Sequence, residues 1–182
     1  MKLVLLGAAG SGKGTLAKKI TRDFGIPQIS TGDLFREIVK TGSTLGELVK
    51  GYLDKGALVP NEVTFDVLKN RISQPDCKKG FILDGFPRSL DQAKMLSQVT
   101  DIDAVISVEL GFEELEKRLV SRRTCPKCGD IDNANYEGFT GYCRKCGTKL
   151  FQRDDDKPEA IKARLEVYKT NITPLINFYG DR

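Results

Sequence analysis

Short apolar runs punctuate the chain at residues 2–6, about 27–29, 81–83 and 104–108, each closed by glycine, proline or polar residues. Between them apolar positions recur at helical spacing. Strands that read as unbroken apolar runs and alternate with helices predict an α/β fold with a parallel sheet. The first helix is expected over residues 13–24. A second begins at Ser30 and Thr31, where Ser30 and Asp33 have capping-box spacing with Asp in place of Glu or Gln. Asn61 is expected to cap a helix that follows Pro60 and buries Val63, Val67, Leu68 and Ile72. Residues 113–123 predict another helix that turns Leu115 and Leu119 inward and places Arg118 and Arg122, four apart, on its other face. The last helix should start at Pro158 with Asp156 as its cap and kink before Pro174.

From residue 124 to about 152 the helical period disappears into glycine, cysteine and short turns, the pattern of a small inserted module. There is no internal repeat and no low-complexity tract. A length of 182 residues suits one main core carrying such an insert. The longest apolar runs fall far short of the roughly 18 residues that span a bilayer. The N-terminus lacks the apolar stretch and cleavage site of a signal peptide, so a cytosolic location is expected. A net charge of +4 is mild and favours a small anion over a nucleic-acid polymer as partner. The chain contains no histidine, which leaves metals to cysteine and carboxylate and leaves acid–base work to other groups.

Chemistry concentrates in four stretches. The first apolar run feeds directly into Gly7-Ala8-Ala9-Gly10-Ser11-Gly12-Lys13-Gly14-Thr15. A strand, a glycine loop and a lysine at a helix start hold polyphosphate, because glycines let backbone N–H groups point inward and the helix dipole favours anions. Lys13 should reach the terminal phosphates of a nucleoside triphosphate. Gly14 has no side chain to offer Mg²⁺, so Thr15 supplies the hydroxyl one step later. The second stretch, Gly80 to Ser89, ends a buried strand in Asp84, at the sheet edge where ligands of open α/β sheets bind; this carboxylate suits water-bound Mg²⁺. Gly85-Phe86-Pro87-Arg88 sets a guanidinium beside it, a fork suited to phosphate. The third, Ile29 to Glu37, is a hydroxyl-capped helix start followed by Arg36, which suits a second phosphate.

The fourth is a pair of Cys-x-x-Cys-Gly knuckles, Cys125 with Cys128 and Cys143 with Cys146, separated by fourteen residues. Four thiolates on a short insert predict a tetrahedral structural zinc site with no open position for catalysis. A rubredoxin-like iron site is the rival metal, and disulfides are disfavoured in a reducing cytosol. Cys77 has no partner spacing and is expected to be a simple packed or surface thiol.

These stretches, in this order and spacing, together with the "RLVSRR" and "RDDD" segments, resemble the adenylate kinase family, in its long bacterial form with a zinc-bearing lid. The resemblance covers nearly the whole chain. It implies reversible, Mg²⁺-dependent transfer of the ATP γ-phosphoryl group to AMP, giving two ADP, in adenine nucleotide homeostasis. It also implies a three-layer α/β fold: a parallel-sheet core over 1–29, 60–121 and 158–182, a helical AMP-binding insert over 30–59 and a zinc-ribbon-like lid over 122–157. By the same resemblance, Gly10, Ser11, Gly12, Lys13, Gly14 and Thr15 hold the ATP phosphates, and Arg118 packs on the ATP base. Asp84 anchors water-bound Mg²⁺. Arg36 and Arg88 clamp the AMP phosphate; Thr31, Gly85 and Gln92 help read AMP, with Leu58 and Val59 lining its pocket. Arg122, Arg153 and Arg164 close over the phosphates with Asp155 as their carboxylate organiser, and the protein acts as a monomer with no nucleic-acid or membrane partner. Water competes with AMP for the γ-phosphate, which explains a lid.

Family members continue past the helix containing Pro174 into a further strand and helix whose loop helps bind the ATP base, whereas this sequence stops at Arg182. The resemblance therefore implies either a shortened sequence or a protein without that element. Three rivals remain. A UMP or CMP kinase would share the loop and clamp. A nucleic-acid-binding zinc ribbon would use Lys127, Arg144, Lys145 and Lys149. A P-loop GTPase is disfavoured by the lack of an N-K-x-D guanine signature.

Overall fold

The computed structural model describes residues 1–180. The strands β1 (Lys2–Leu6), β2 (Gln28–Ser30), β3 (Phe81–Asp84) and β4 (Ala104–Ser107) form one parallel sheet in the order β2, β3, β1, β4. Leu3, Val4, Leu5 and Leu6 are all buried, as expected of a strand covered on both faces. Alternate residues then choose opposite layers. Leu3 and Leu5 pack with Ala17, Leu16 and Ile20 of α1 (Lys13–Phe24). Val4 and Leu6 face Leu68 of α4 (Asn61–Ile72), Ala93 and Leu96 of α5 (Leu90–Ser97), and Leu175 and Tyr179 of α7 (Pro158–Tyr179).

Two further clusters lie off the sheet. Phe35 of α2 (Thr31–Lys40) and Val49 of α3 (Thr44–Asp54) pack with Val59, Val63 and Val67. Between α6 (Phe112–Ser121) and α7, β5 (Arg122–Thr124) pairs antiparallel with β6 (Ile131–Asn133), and the cysteines cluster with Leu150 and Phe139. A 3₁₀ turn over Asp154–Asp156 leads into α7.

Local signals explain most boundaries. Gly25 ends α1 in the left-handed conformation that glycine adopts without steric cost. The Ser30 hydroxyl accepts the Asp33 N–H and starts α2. The sequence pattern left α3 unread, although Leu45, Leu48, Val49, Tyr52 and Leu53 carry helical spacing after the capping Ser43.

Three expectations are corrected. The first concerns α6, which stops at Ser121; Arg122 is extended and pairs with Asn133, so Arg118 and Arg122 do not share a helix face. Asn61 caps nothing: Pro60 takes the cap position, and the Asn61 side chain turns toward Gln92. Nor does Asp156 cap α7, whose cap position is Lys157, because two arginines hold the Asp156 carboxylate. Helix α7 continues through Pro174 to Tyr179, and expectations reaching Asp181 and Arg182 lie outside the described residues.

Candidate active site

Parallel pairing determines what meets at the sheet edge. Because β1 and β3 are neighbours with Leu5 opposite Asp84, the glycine loop and the carboxylate emerge side by side. The loop is closely packed: Gly7 has φ 139, and a Cβ there would lie 2.3 Å from the Val108 carbonyl oxygen. Gly12, at φ 98, precedes α1 and leaves its first turn without a side-chain cap or an acidic residue. Ser11 Oγ is buried and, among the described residues, has no hydrogen-bond partner. A buried unpaired hydroxyl costs stability, and a phosphate oxygen would satisfy it.

Lys13 is 9% exposed and donates to the carbonyl oxygens of Gly7 at 2.7 Å and Ala8 at 2.6 Å. Burial draws its ammonium pKa down to about 8; Asp84 works against the shift, and Arg88, Arg164 and Arg122 add to it. Asp84 accepts a 2.8 Å hydrogen bond from Gln28 Nε2. A Cβ on Gly14 would stand 3.6 Å from Asp84 Oδ2 and 3.9 Å from Gln28 Nε2. These are ordinary contact distances, so a Cβ at position 14 would touch this pair without displacing it; Thr15 is exposed one step further on. Motif reading passed over Gln28, whose one signal is its place at the start of the neighbouring strand.

Around this edge the structure gathers guanidinium groups. Arg122 makes a two-pronged contact with Asp156, its Nε donating to Oδ2 at 2.8 Å. Arg164 Nη1 donates to the Asp155 carbonyl at 2.6 Å and pairs with the carboxylates of Asp155 at 3.0 Å and Asp156 at 3.3 Å. Asp156 is fully buried and contacts both Arg122 and Arg164, whereas the resemblance implied an organising role for Asp155 alone. Burial pushes Asp155 up, but Arg164 and Arg122 outweigh it and hold the carboxyl below its ordinary value. Arg153 is buried with its Nε on Thr124 Oγ1, and desolvation with Arg36 and Arg122 brings it down to about 10.

Arg88 is open to solvent but ringed by protein on a concave wall. Enclosure and Arg164 draw it down to about 10, and its Nε donates to the Gly85 carbonyl at 2.7 Å. Burial, with neighbouring guanidinium groups adding to it, lowers Arg88, Arg153 and Arg164, which marks a site short of negative charge. An anion there relieves the repulsion. Arg36 reaches the same field but pairs with Asp33 on its own helix. Arg118 stands apart on α6, paired with Glu114.

Thr31, Leu58, Val59, Gly85, Arg88 and Gln92 line one pocket, with Phe35 and Leu53 as further walls. Thr31 Oγ1 donates to the Gly85 carbonyl at 2.9 Å. Arg36 is not among the lining residues. In the insert, the sulfur atoms of Cys125, Cys128, Cys143 and Cys146 all lie within 4.8 Å of one another. Four thiolates about 2.3 Å from one zinc ion would span such distances, so the set fits a tetrahedral metal.

A profile of the adenylate kinase family matches residues 5–182. An adenylate kinase of Thermodesulfovibrio yellowstonii is 51% identical over 189 residues, covering 100% of this chain and 88% of the relative. One from Archaeoglobus fulgidus is 50% identical, covering 98% and 86%. One from Staphylococcus epidermidis is 47% identical, covering 100% and 88%.

Asp156→Ala should cost about 3–5 kcal/mol, because it strands the poorly hydrated Arg122 guanidinium and takes one of two carboxylates from Arg164. Asp154→Ala, at an exposed position, should be nearly neutral; chemical denaturation of both variants checks the contrast. Lys13 has a folded-state pKa below its ordinary value, so holding its charge costs stability at neutral pH, and the cost fades as pH rises above about 8. A bound polyphosphate favours the charged form. ATP binding at pH 8 should therefore draw in about half a proton, and far less at pH 6.5. Calorimetry in buffers of different ionisation enthalpy reads this directly, and equal heats in all buffers at pH 8 would contradict it.

Proposed function

The chain belongs to the adenylate kinase family, and we propose that the cationic cleft between the glycine loop and Asp155–Asp156 is where it carries out that family's reaction. It is an ATP:AMP phosphotransferase, moving the γ-phosphoryl group reversibly and with Mg²⁺ to give two ADP. The observation that carries the assignment of the site is the convergence of Lys13, Arg88, Arg122 and Arg164 near Asp84, with Arg153 next to Arg122. Phosphoryl transfer asks for in-line positioning and neutralised charge more than for a covalent side chain.

In this reading the loop from Gly10 to Thr15 cradles the ATP phosphates, and Lys13 leaves its loop carbonyls for the terminal ones. The pocket lined by Thr31, Leu58, Val59, Gly85 and Gln92 receives AMP, with Arg88 and Arg36 on its phosphate. Arg122, Arg153 and Arg164 surround the transferring group, held in place by Asp155 and Asp156, while Arg118 stacks on the ATP base. Asp84 and Thr15 are hard oxygen donors suited to Mg²⁺ and its waters. When bound with ATP, that ion neutralises β- and γ-phosphate charge. Gln28 keeps the Asp84 carboxylate oriented.

The same reading divides the chain into a core, an AMP-binding insert over 30–59 and a lid over 122–157. It is supported by the separate clusters around Phe35 and around the cysteines. Zinc is the proposed metal of the lid; four thiolates complete its coordination, so it holds a fold and takes no part in chemistry. We read the protein as a cytoplasmic monomer without nucleic-acid or membrane partners. Arg144 and Lys145 of the second knuckle are already paired with Asp132 and Asp130, which lowers the charge that this knuckle offers a polyanion. Among the described residues, no helix is long and apolar enough to cross a membrane.

ADP formation from Mg·ATP with AMP, UMP, CMP or GMP offered separately tests the reading. AMP should be strongly preferred, and Arg88→Ala should lower kcat by roughly 10³-fold or more with an unchanged fold. Wild-type turnover in that variant would move the site elsewhere. Zinc removal by a chelator should lower the melting temperature by on the order of 10 °C; unchanged melting in verified metal-free protein would remove the metal from the lid.

A further inference from the structure

Asn61 opens α4 without capping it, and its side chain has another partner. The Arg88 backbone N–H donates to Gln92 Oε1 at 2.8 Å, and Gln92 Nε2 donates to Asn61 Oδ1 at 3.0 Å. A backbone N–H can only donate. It obliges the Gln92 amide to meet it with oxygen, which turns Nε2 toward Asn61 and calls for an acceptor there. Gln92 is 2% exposed, so water is not at hand to compensate a reversed amide. Its Cα is held as well, since its own N–H donates to the capping Ser89 hydroxyl at 3.3 Å.

Two of the hydrogen-bonding functions of Gln92 are thereby used. One carbonyl lone pair and one amide N–H remain on a side chain that lines the acceptor pocket. Adenine shows a donor at N6 beside an acceptor at N1. Hypoxanthine and guanine show the reverse, an acceptor at O6 beside a donor at N1. A glutamine free to rotate serves either edge, whereas one of fixed polarity serves only the first.

We propose that Asn61 is a specificity-determining positioning residue: it fixes the Gln92 amide against the Arg88 backbone so that the pocket takes 6-amino purines and refuses 6-oxo purines. The proposal rests on reading this pocket as the AMP site. An aspartate at position 61 would serve as well or better, being an acceptor that cannot flip. An alanine would leave the amide held in this direction by the Arg88 N–H alone, so that a 6-oxo purine could turn it more readily.

The test compares kcat and KM of the full chain for AMP and for inosine monophosphate at saturating Mg·ATP, with calorimetric binding of both nucleotides. Asn61→Ala should reduce the AMP preference in kcat/KM by about tenfold, nearly all of it through KM. Asn61→Asp should keep or sharpen the preference. A merely structural role would weaken both nucleotides equally and leave the ratio unchanged, which overturns the proposal. Asp behaving like Ala overturns it too. Should the alanine variant not fold, Asn61→Ser gives the same comparison, because its short side chain stops short of Gln92. Gln92→Ala separates the two levels: if it binds AMP as wild type does, the pocket reading fails and takes this proposal with it. If it loses AMP while Asn61→Ala keeps the ratio, only the role of Asn61 falls.

Discussion

The fully buried carboxylate of Asp156 is the contact on which the cationic cleft depends. It joins Arg122, at the start of the cysteine insert, to Arg164, on the helix that packs against the core. Guanidinium groups this close repel one another, and burial strips away the water that would screen them. The Asp156 carboxylate between them holds them oriented, and in the proposed site a polyphosphate would supply the remaining negative charge. The same contact ties both ends of the cysteine insert to one point, since Arg122 lies at its beginning and Asp156 beyond its end.

Across the cleft, the parallel register delivers the other half of the site. Strand β1 hands over to the glycine loop just where β3 ends in Asp84, so a lysine and a carboxylate far apart in sequence meet at one edge of the sheet. Space there is limited. Gly7 lies against a carbonyl and has a steric reason to lack a side chain, whereas a Cβ at Gly14 would make only ordinary contact with the Asp84–Gln28 pair. The absence of histidine loses its oddness in this setting, because charge placement performs the chemistry.

The acceptor pocket shows a third way of using polar groups. Its residues come from α2, the end of α3, the segment before α4 and its first turn, the turn after β3 and α5. They are linked by hydrogen bonds that run from the Arg88 backbone through Gln92 to Asn61. A polar chain of this kind stabilises little by itself, since each bond replaces one with water. What it contributes is direction, which an apolar wall cannot.

The strands, the glycine loop with Lys13, the start of α2 at Ser30 and the paired cysteine knuckles could all be read from the chain. Each rests on neighbours a few residues apart: apolar runs, a loop that needs positive φ, a hydroxyl three residues before an N–H, and fixed thiol spacing. The roles of Asp156, Asn61 and Gln28 could not. Asp154, Asp155 and Asp156 are identical in local chemistry, and only packing against Arg122 and Arg164 buries the third. Asn61 looks like a cap to any local rule, yet Gln92, thirty-one residues away, claims its side chain. Helix α6 ends before Arg122 because Asn133, eleven residues further on, offers it a strand partner. Local sequence thus determined which elements and which reactive groups exist. Tertiary structure decided which charges are shared and which amides are held in one direction, because those depend on burial and on contacts between distant parts of the chain.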